Sequence, residues 1–201
     1  MAVSIKNGYA TLKRRYDDHN FELEEATFDV SGKPVLNEAG WARATHVRDA
    51  GGHDIETTYF GVDDKPLLLK EGYSKKTRHY DSVGAQVEEA YFGPDGEPAL
   101  SAEGWARISW SIDRSRRTIE QAHFGLHGEP VLGTKERYHR MTQVFDEHLQ
   151  LTELAYFGTD GKPIEVADST RSRFCARLTG AIGDPSSGKE NCFNAAGKLI
   201  Q

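Results

Sequence analysis

Residues 40–68 read GWARATHVRDAGGHDIETTYFGVDDKPLL, and the punctuation of this stretch decides the fold. A turn-forming tetrad, Asp49-Ala-Gly-Gly52, ends a first run that begins at Trp41, and a second cut, Gly61-Val-Asp-Asp-Lys-Pro66, follows Phe60. About eight residues lie between the cuts, the usual length of a strand and too few for a stable helix. Within them Ile55, Thr57 and Tyr59 alternate as β-branched or aromatic side chains, which suit a pleated surface. Gly and Asp at the cuts supply the positive φ that tight hairpin loops require. The stretch therefore reads as strand, short turn, strand and Gly-Pro connector.

Working outward, the pattern recurs. Phe28, Phe60, Phe92 and Phe124 lie 32 residues apart, and Phe157 follows after 33. Pro34, Pro66, Pro98, Pro130 and Pro163 keep the same step, as do Glu24, Glu56, Glu88, Glu120 and Glu153. Asp17, Asp49, Asp81, Asp113 and Asp146 mark the start of each turn. A period near 32 lies close to those of ankyrin and tetratricopeptide helical repeats, but the breakers fall too often for helices. The expected fold is all-β: an elongated, twisted array of about six tandem β-hairpins with a 32–33 residue repeat. Residues 1–164 hold five copies, and 165–201 a divergent copy that caps the same continuous domain.

A register follows if Tyr16 opposes Phe21 across the first turn. Glu24 then faces Lys13, Ala26 faces Thr11 and Phe28 faces Tyr9, while Phe60 faces Trp41, Phe92 faces Tyr73 and Phe124 faces Trp105. Arg43, Lys75 and Arg107 fall diagonally near Glu56, Glu88 and Glu120 of their own hairpins. The opposite face holds Leu23, Ile55, Val87 and Ile119, with Tyr59, Tyr91 and Tyr156 further along. Pro–Leu pairs in the connectors, such as Pro66 with Leu68, are expected to cover one edge of the layer.

Composition narrows the function classes. The chain has 201 residues, a formal charge of −6 and a pI near 5.8, unlike a dedicated nucleic-acid binder with its basic domain. No apolar stretch reaches the roughly 18 residues a membrane helix needs, and the start MAVSIKNGYATLKRR lacks a leader's hydrophobic stretch. Compartment is otherwise open, with the cytoplasm favoured and no membrane insertion expected. The Gly-aromatic start and the Tyr-Phe-Gly-x-Asp-Gly-Lys/Glu-Pro close of each copy resemble tandem β-hairpin repeats of large bacterial proteins. They are similar in style to MORN-type hairpins and to choline-binding or cell-wall-binding repeats. That resemblance, from about Gly8 to Ile164, implies a binding or scaffolding array rather than an enzyme.

The candidate chemistry is sparse. Gly183-Asp-Pro-Ser-Ser-Gly188-Lys189-Glu190 approaches a P-loop but ends in Glu, lacking the hydroxyl that would hold magnesium, and reads as a loop. Cys175 and Cys192 fall on the two strands of the last hairpin, as a cross-strand disulfide or as two reduced thiols. Eight scattered histidines show no zinc-ligand spacing, and no metal or cofactor is expected. A glutamate present in every copy is the opposite of an asymmetric catalytic pair, so no catalytic residue is assigned. The aromatic column Tyr9, Trp41, Tyr73 and Trp105 reads as packing between hairpins, or as a ladder of rings for a ligand. With Arg43, Arg107, Tyr59, Tyr91 and Tyr156 it makes up the candidate binding set. The expected function is a non-enzymatic module presenting an extended β surface to a protein partner, or self-associating through an edge strand. The alternative is a carbohydrate- or cell-envelope-binding module that uses the aromatic column.

Overall fold

The computed structural model describes residues 8–115 and 117–166, together with the backbone of three short strands beyond them. Among these residues there is no helix. Six strands lie in the first half: β1 (Thr11–Tyr16), β2 (Glu22–Phe28), β3 (Arg43–Arg48), β4 (Asp54–Phe60), β5 (Lys75–Tyr80) and β6 (Gln86–Phe92). Four follow: β7 (Arg107–Asp113), β8 (Thr118–Phe124), β9 (Arg140–Phe145) and β10 (Leu151–Phe157). These ten form an open antiparallel sheet in chain order, a meander of hairpins. Strands β11 (Phe174–Ala176), β12 (Asn191–Phe193) and β13 (Leu199–Ile200) form a separate small sheet. The chain divides into two compact units, residues 1–107 and 108–201.

Each hairpin turn is built by its leading aspartate. Asp49 Oδ1 accepts the Gly51 and His53 backbone N–H groups, both at 2.9 Å. Asp17, Asp81 and Asp146 accept the equivalent pairs of N–H groups. A side-chain oxygen that bonds backbone two and four residues ahead fixes the loop locally, which is why Asp recurs there. The fourth residue of the turn has positive φ: Asn20, Gly52 and Gly84 in the first unit, Leu149 in the second. Leucine tolerates this region poorly, and Leu149 is 76% exposed, so its side chain gains little packing in return. Leu149→Gly is expected to raise stability by about 1 kcal/mol, read as an upward shift of the urea midpoint.

The turn also sets the register, which differs from the expectation. The closing bond runs from Asp17 N–H to Phe21 O, and the ladder shifts between Arg15 and Tyr16, so that Tyr16 opposes Glu22 and Arg15 opposes Glu24. Lys13 therefore faces Ala26, and Phe28 faces Thr11 rather than Tyr9. In the same way Phe60 faces Arg43 rather than Trp41, and Phe92 faces Lys75 rather than Tyr73. The shift has two parts: the turn closes between Asp17 and Phe21 rather than Tyr16 and Phe21, and the β-bulge beside it adds one more residue, so the pairing moves by two positions. Within the strands a two-residue slip keeps each side chain on its face, so Phe60 stays on the face of Arg43 although the pairs change.

The sheet has little conventional core. Most of its buried residues are small or polar, among them Ala26, Ala42, Ala44, Ala106 and Ala122 with Thr27, Thr57 and Ser74; Leu69, Trp105, Ile108 and Tyr138 are the large buried ones among the described residues. Burial of the threonines is matched by hydrogen bonds; Thr27 Oγ1 donates to Val35 O at 2.7 Å. The connectors fold back on their own strands, with Phe28 bridged to Pro34 and Phe60 to Pro66. The leucines that follow are not the expected cover. Leu36, Leu68, Leu100 and Leu132 expose 43–54% of their surface. The backbone bridge holds each proline against its strand and leaves the residue two places on facing solvent.

Candidate functional site

One face of the first unit carries a regular ionic and aromatic lattice. Arg43 sits over the Phe60 ring, 3.8 Å from its centroid, and its Nη1 lies 3.4 Å from Glu24 of the preceding hairpin. Lys75 lies over Phe92 at 5.0 Å and reaches Glu56 at 3.5 Å. Arg107 reaches Glu88 at 3.0 Å. In the second unit Arg140 lies over Phe157 at 3.8 Å and reaches Glu120 at 2.9 Å. The cation–glutamate rung expected within each hairpin therefore links adjacent hairpins, because the register slip carries each cation toward the preceding strand. The charges are a quarter to a third exposed, so each ion pair contributes at most about 1 kcal/mol and each ring contact about as much. Their recurrence makes them stitching between neighbours. Arg43 and Arg107 spend their guanidinium groups on it.

The opposite face carries the ring ladder. Trp41 and Tyr59 lie 6.1 Å apart, Tyr59 and Tyr73 6.2 Å, Tyr73 and Tyr91 4.8 Å. In the second unit Tyr138 meets Tyr156 at 4.9 Å and His123 at 5.1 Å. In the first unit the two aromatic sets proposed from sequence share one column, because Trp41 and Tyr73 lie before the strands begin and pack on Tyr59 and Tyr91 rather than on the expected face with Phe60 and Phe92. Trp105 is 6% exposed, while Tyr9, Trp41, Tyr59, Tyr73, Tyr91 and Tyr156 are half-buried. Burial pushes the Tyr73 hydroxyl up to about 12. Burial, followed by the hydrogen bond to Glu89, drives that of Tyr91 higher still.

Beside the ladder lies a charged cluster that sequence reading missed. Arg78 Nε donates to Glu89 at 2.8 Å, and its Nη1 lies 3.3 Å from Asp54. Asp54 also accepts from Thr57 at 3.0 Å and pairs with His46 at 3.2 Å. Burial opposes the Asp54 charge, but His46, Thr57 and Arg78 outweigh it and hold the carboxyl below its ordinary value. Burial likewise opposes the Arg78 charge, and Glu89 and Asp54 outweigh it. The overlooked clue was Arg78 directly opposite Glu89, visible only in the true register.

No group of three or more His, Cys, Asp or Glu side chains among the described residues is placed to hold a metal ion. The backbone register puts Cys175 directly opposite Cys192; their side chains, and the P-loop-like segment 183–190, lie outside the described residues. Among the described residues no helix is long and apolar enough to cross a membrane.

Several turn carboxylates are held below their ordinary range: Asp29 by the Ser31 hydroxyl, Asp49 by the His53 backbone N–H, Asp160 by that of Lys162. A carboxyl depressed in the folded state stabilises it above the unfolded pKa, and that contribution fades as pH falls through the folded value. Urea midpoints are thus expected to be level above about pH 5 and to fall steadily below about pH 4. A flat profile down to pH 2 would remove the turns from this role.

Comparison with protein-family models and with curated proteins finds no match.

Proposed function

We propose that this chain is a non-enzymatic interaction module, an array of tandem hairpins closed by the segment 165–201, which presents a repeated surface to a protein partner. The observation that carries the reading is an exposed leucine that recurs at one position of four connectors. Leu36, Leu68, Leu100 and Leu132 stand eight residues after their phenylalanines, each about half exposed. Val30 and Val62, two residues after theirs, are exposed as well. Scattered apolar residues on a surface are ordinary, but the same exposed position kept apolar in four copies costs solubility without contributing to the core. A partner that covers Leu36, Leu68 and Leu100 of the first unit accounts for that cost there. The carbohydrate reading has less support, since the ladder rings lie against one another and Trp105 exposes almost no ring face.

The test is a photo-crosslinking residue placed at position 68 in the producing cell. A discrete protein adduct is expected there and is lost when Leu36 and Leu100 are changed to Ser, with the stability read from urea unfolding changed by no more than about 0.5 kcal/mol per substitution. No adduct at 68 or 100, together with quenching of tryptophan fluorescence by a polysaccharide, would replace this reading with the carbohydrate one.

A further inference from the structure

The first strand is unlike the strands that occupy its place in later copies. In β3, Arg43, Ala44 and Thr45 pair with Ala26, Glu25 and Glu24 of the preceding strand, and in β5, Lys75, Lys76 and Thr77 pair with Thr58, Thr57 and Glu56. Thirty-two residues earlier, the same three positions in β1 are Thr11, Leu12 and Lys13. Among the described strands β1 has β2 as its one neighbour, so these positions lie on an outer edge. Five of the six β1 residues are exposed, Leu12 being the exception.

The side chains on this edge have a distinct charge. Where β3 and β5 set Thr45 and Thr77 against an incoming glutamate, β1 offers Lys13. Where they carry Val47 and His79, β1 carries Arg15, whose side chain is 61% exposed. With Arg14 this makes three consecutive cations in a chain of net charge −6. A second copy of β1 set on this edge would place like charges opposite one another, which is destabilising.

We propose that the outer edge of β1 receives an extended acidic segment of another protein, added antiparallel as a further strand, with a carboxylate opposite Lys13. The backbone pairing copies the β2–β3 junction, where Glu24 stands opposite Thr45, and β1 sets Lys13 in the place of that threonine. Main-chain hydrogen bonds supply affinity, and Lys13 and Arg15 select for acidic residues at alternating positions. The inference rests on the chain being a protein-binding module, and it names the chemistry of one partner.

The probe is a fluorescently labelled peptide with the sequence of residues 21–30, FELEEATFDV, added to the full chain. Saturable binding is expected, weakening severalfold between 50 and 500 mM salt, with new hydrogen-exchange protection confined to Thr11–Lys13. A peptide with Lys at its three Glu positions, and one N-methylated on alternate amides, should each bind at least tenfold more weakly. Lys13→Glu with Arg15→Glu should weaken the acidic peptide by a similar factor. Because the altered peptides leave the protein untouched, the test survives a variant that folds poorly. Equal binding of the N-methylated peptide, protection at other strands, or a chain already dimeric through this edge would overturn the proposal. None of these outcomes affects the crosslink at position 68, so failure here is distinct from failure of the module reading.

Discussion

Gly72→Ala is expected to destabilise the protein by roughly 3 kcal/mol or more, and to lower the yield of folded protein. Gly72 has φ of 91°, where any Cβ is strained. A Cβ built there would also run into the backbone oxygen of Leu100, with the Ser101 carbonyl carbon at 3.3 Å. A flexible side chain could swing aside, but this backbone is pinned. Ala102 N–H donates to Glu71 O at 2.7 Å, and Gly72 N–H to Leu69 O at 3.0 Å. Relieving the clash therefore means breaking the hydrogen bonds that join successive connectors. Gly96→Ala serves as the control: its φ is 83° but nothing lies within 4 Å of its Cβ, so it should cost about 1 kcal/mol from backbone strain alone. Equal urea midpoints for the two variants would show that the connector contact carries no weight.

Arg78→Met is expected to cost about 2–3 kcal/mol at pH 7, the second largest effect. The substitution keeps much of the side chain's volume but leaves Glu89 and Asp54, 17% and 23% exposed, without their shared cation. Surface ion pairs such as Arg43 with Glu24 should cost less than 1 kcal/mol when broken. The pH dependence identifies the mechanism. Without the guanidinium, Asp54 keeps His46 and Thr57 but loses one of the partners that hold its carboxyl below the ordinary value, so its folded pKa moves up toward the unfolded one. The charge part of the penalty is then fully present above the unfolded value and shrinks as falling pH protonates that carboxyl. The difference between wild type and Arg78→Met should therefore narrow as pH falls from about 5 toward 3. A constant difference would mean that lost packing, not stranded charge, is the cause.

Both predictions concern residues whose importance the spacing pattern does not display. Phe, Pro and Asp recur because each acts within its own hairpin: Asp builds the turn, Pro bridges to Phe, and Phe supports a cation; Glu recurs because each hairpin meets the next in the same way. Local physics repeated in every copy leaves a repeated mark. Arg78, Asp54 and His46 act across strands and are not kept in every copy; the places matching Arg78 hold Arg14, which bonds Glu25 in the same way, then His46 and Trp110. Leu68 was visible in the pattern, but its exposure was not, because hydrophobicity alone does not say which way a connector turns.

The amino-acid sequence by itself determined that the described chain is built of strands, where its turns fall, and which side chains within a strand share a face. Turn chemistry and two-residue alternation are local and are written in residue order. The tertiary structure decided the pairs: Phe60 on Arg43, Glu24 joined to the next hairpin, Arg78 between two carboxylates, the leucines left in solvent. Those depend on where each turn closes and on one bulged residue beside it, a displacement of a few ångströms that leaves composition, period and the facing of strand residues unchanged and alters their partners.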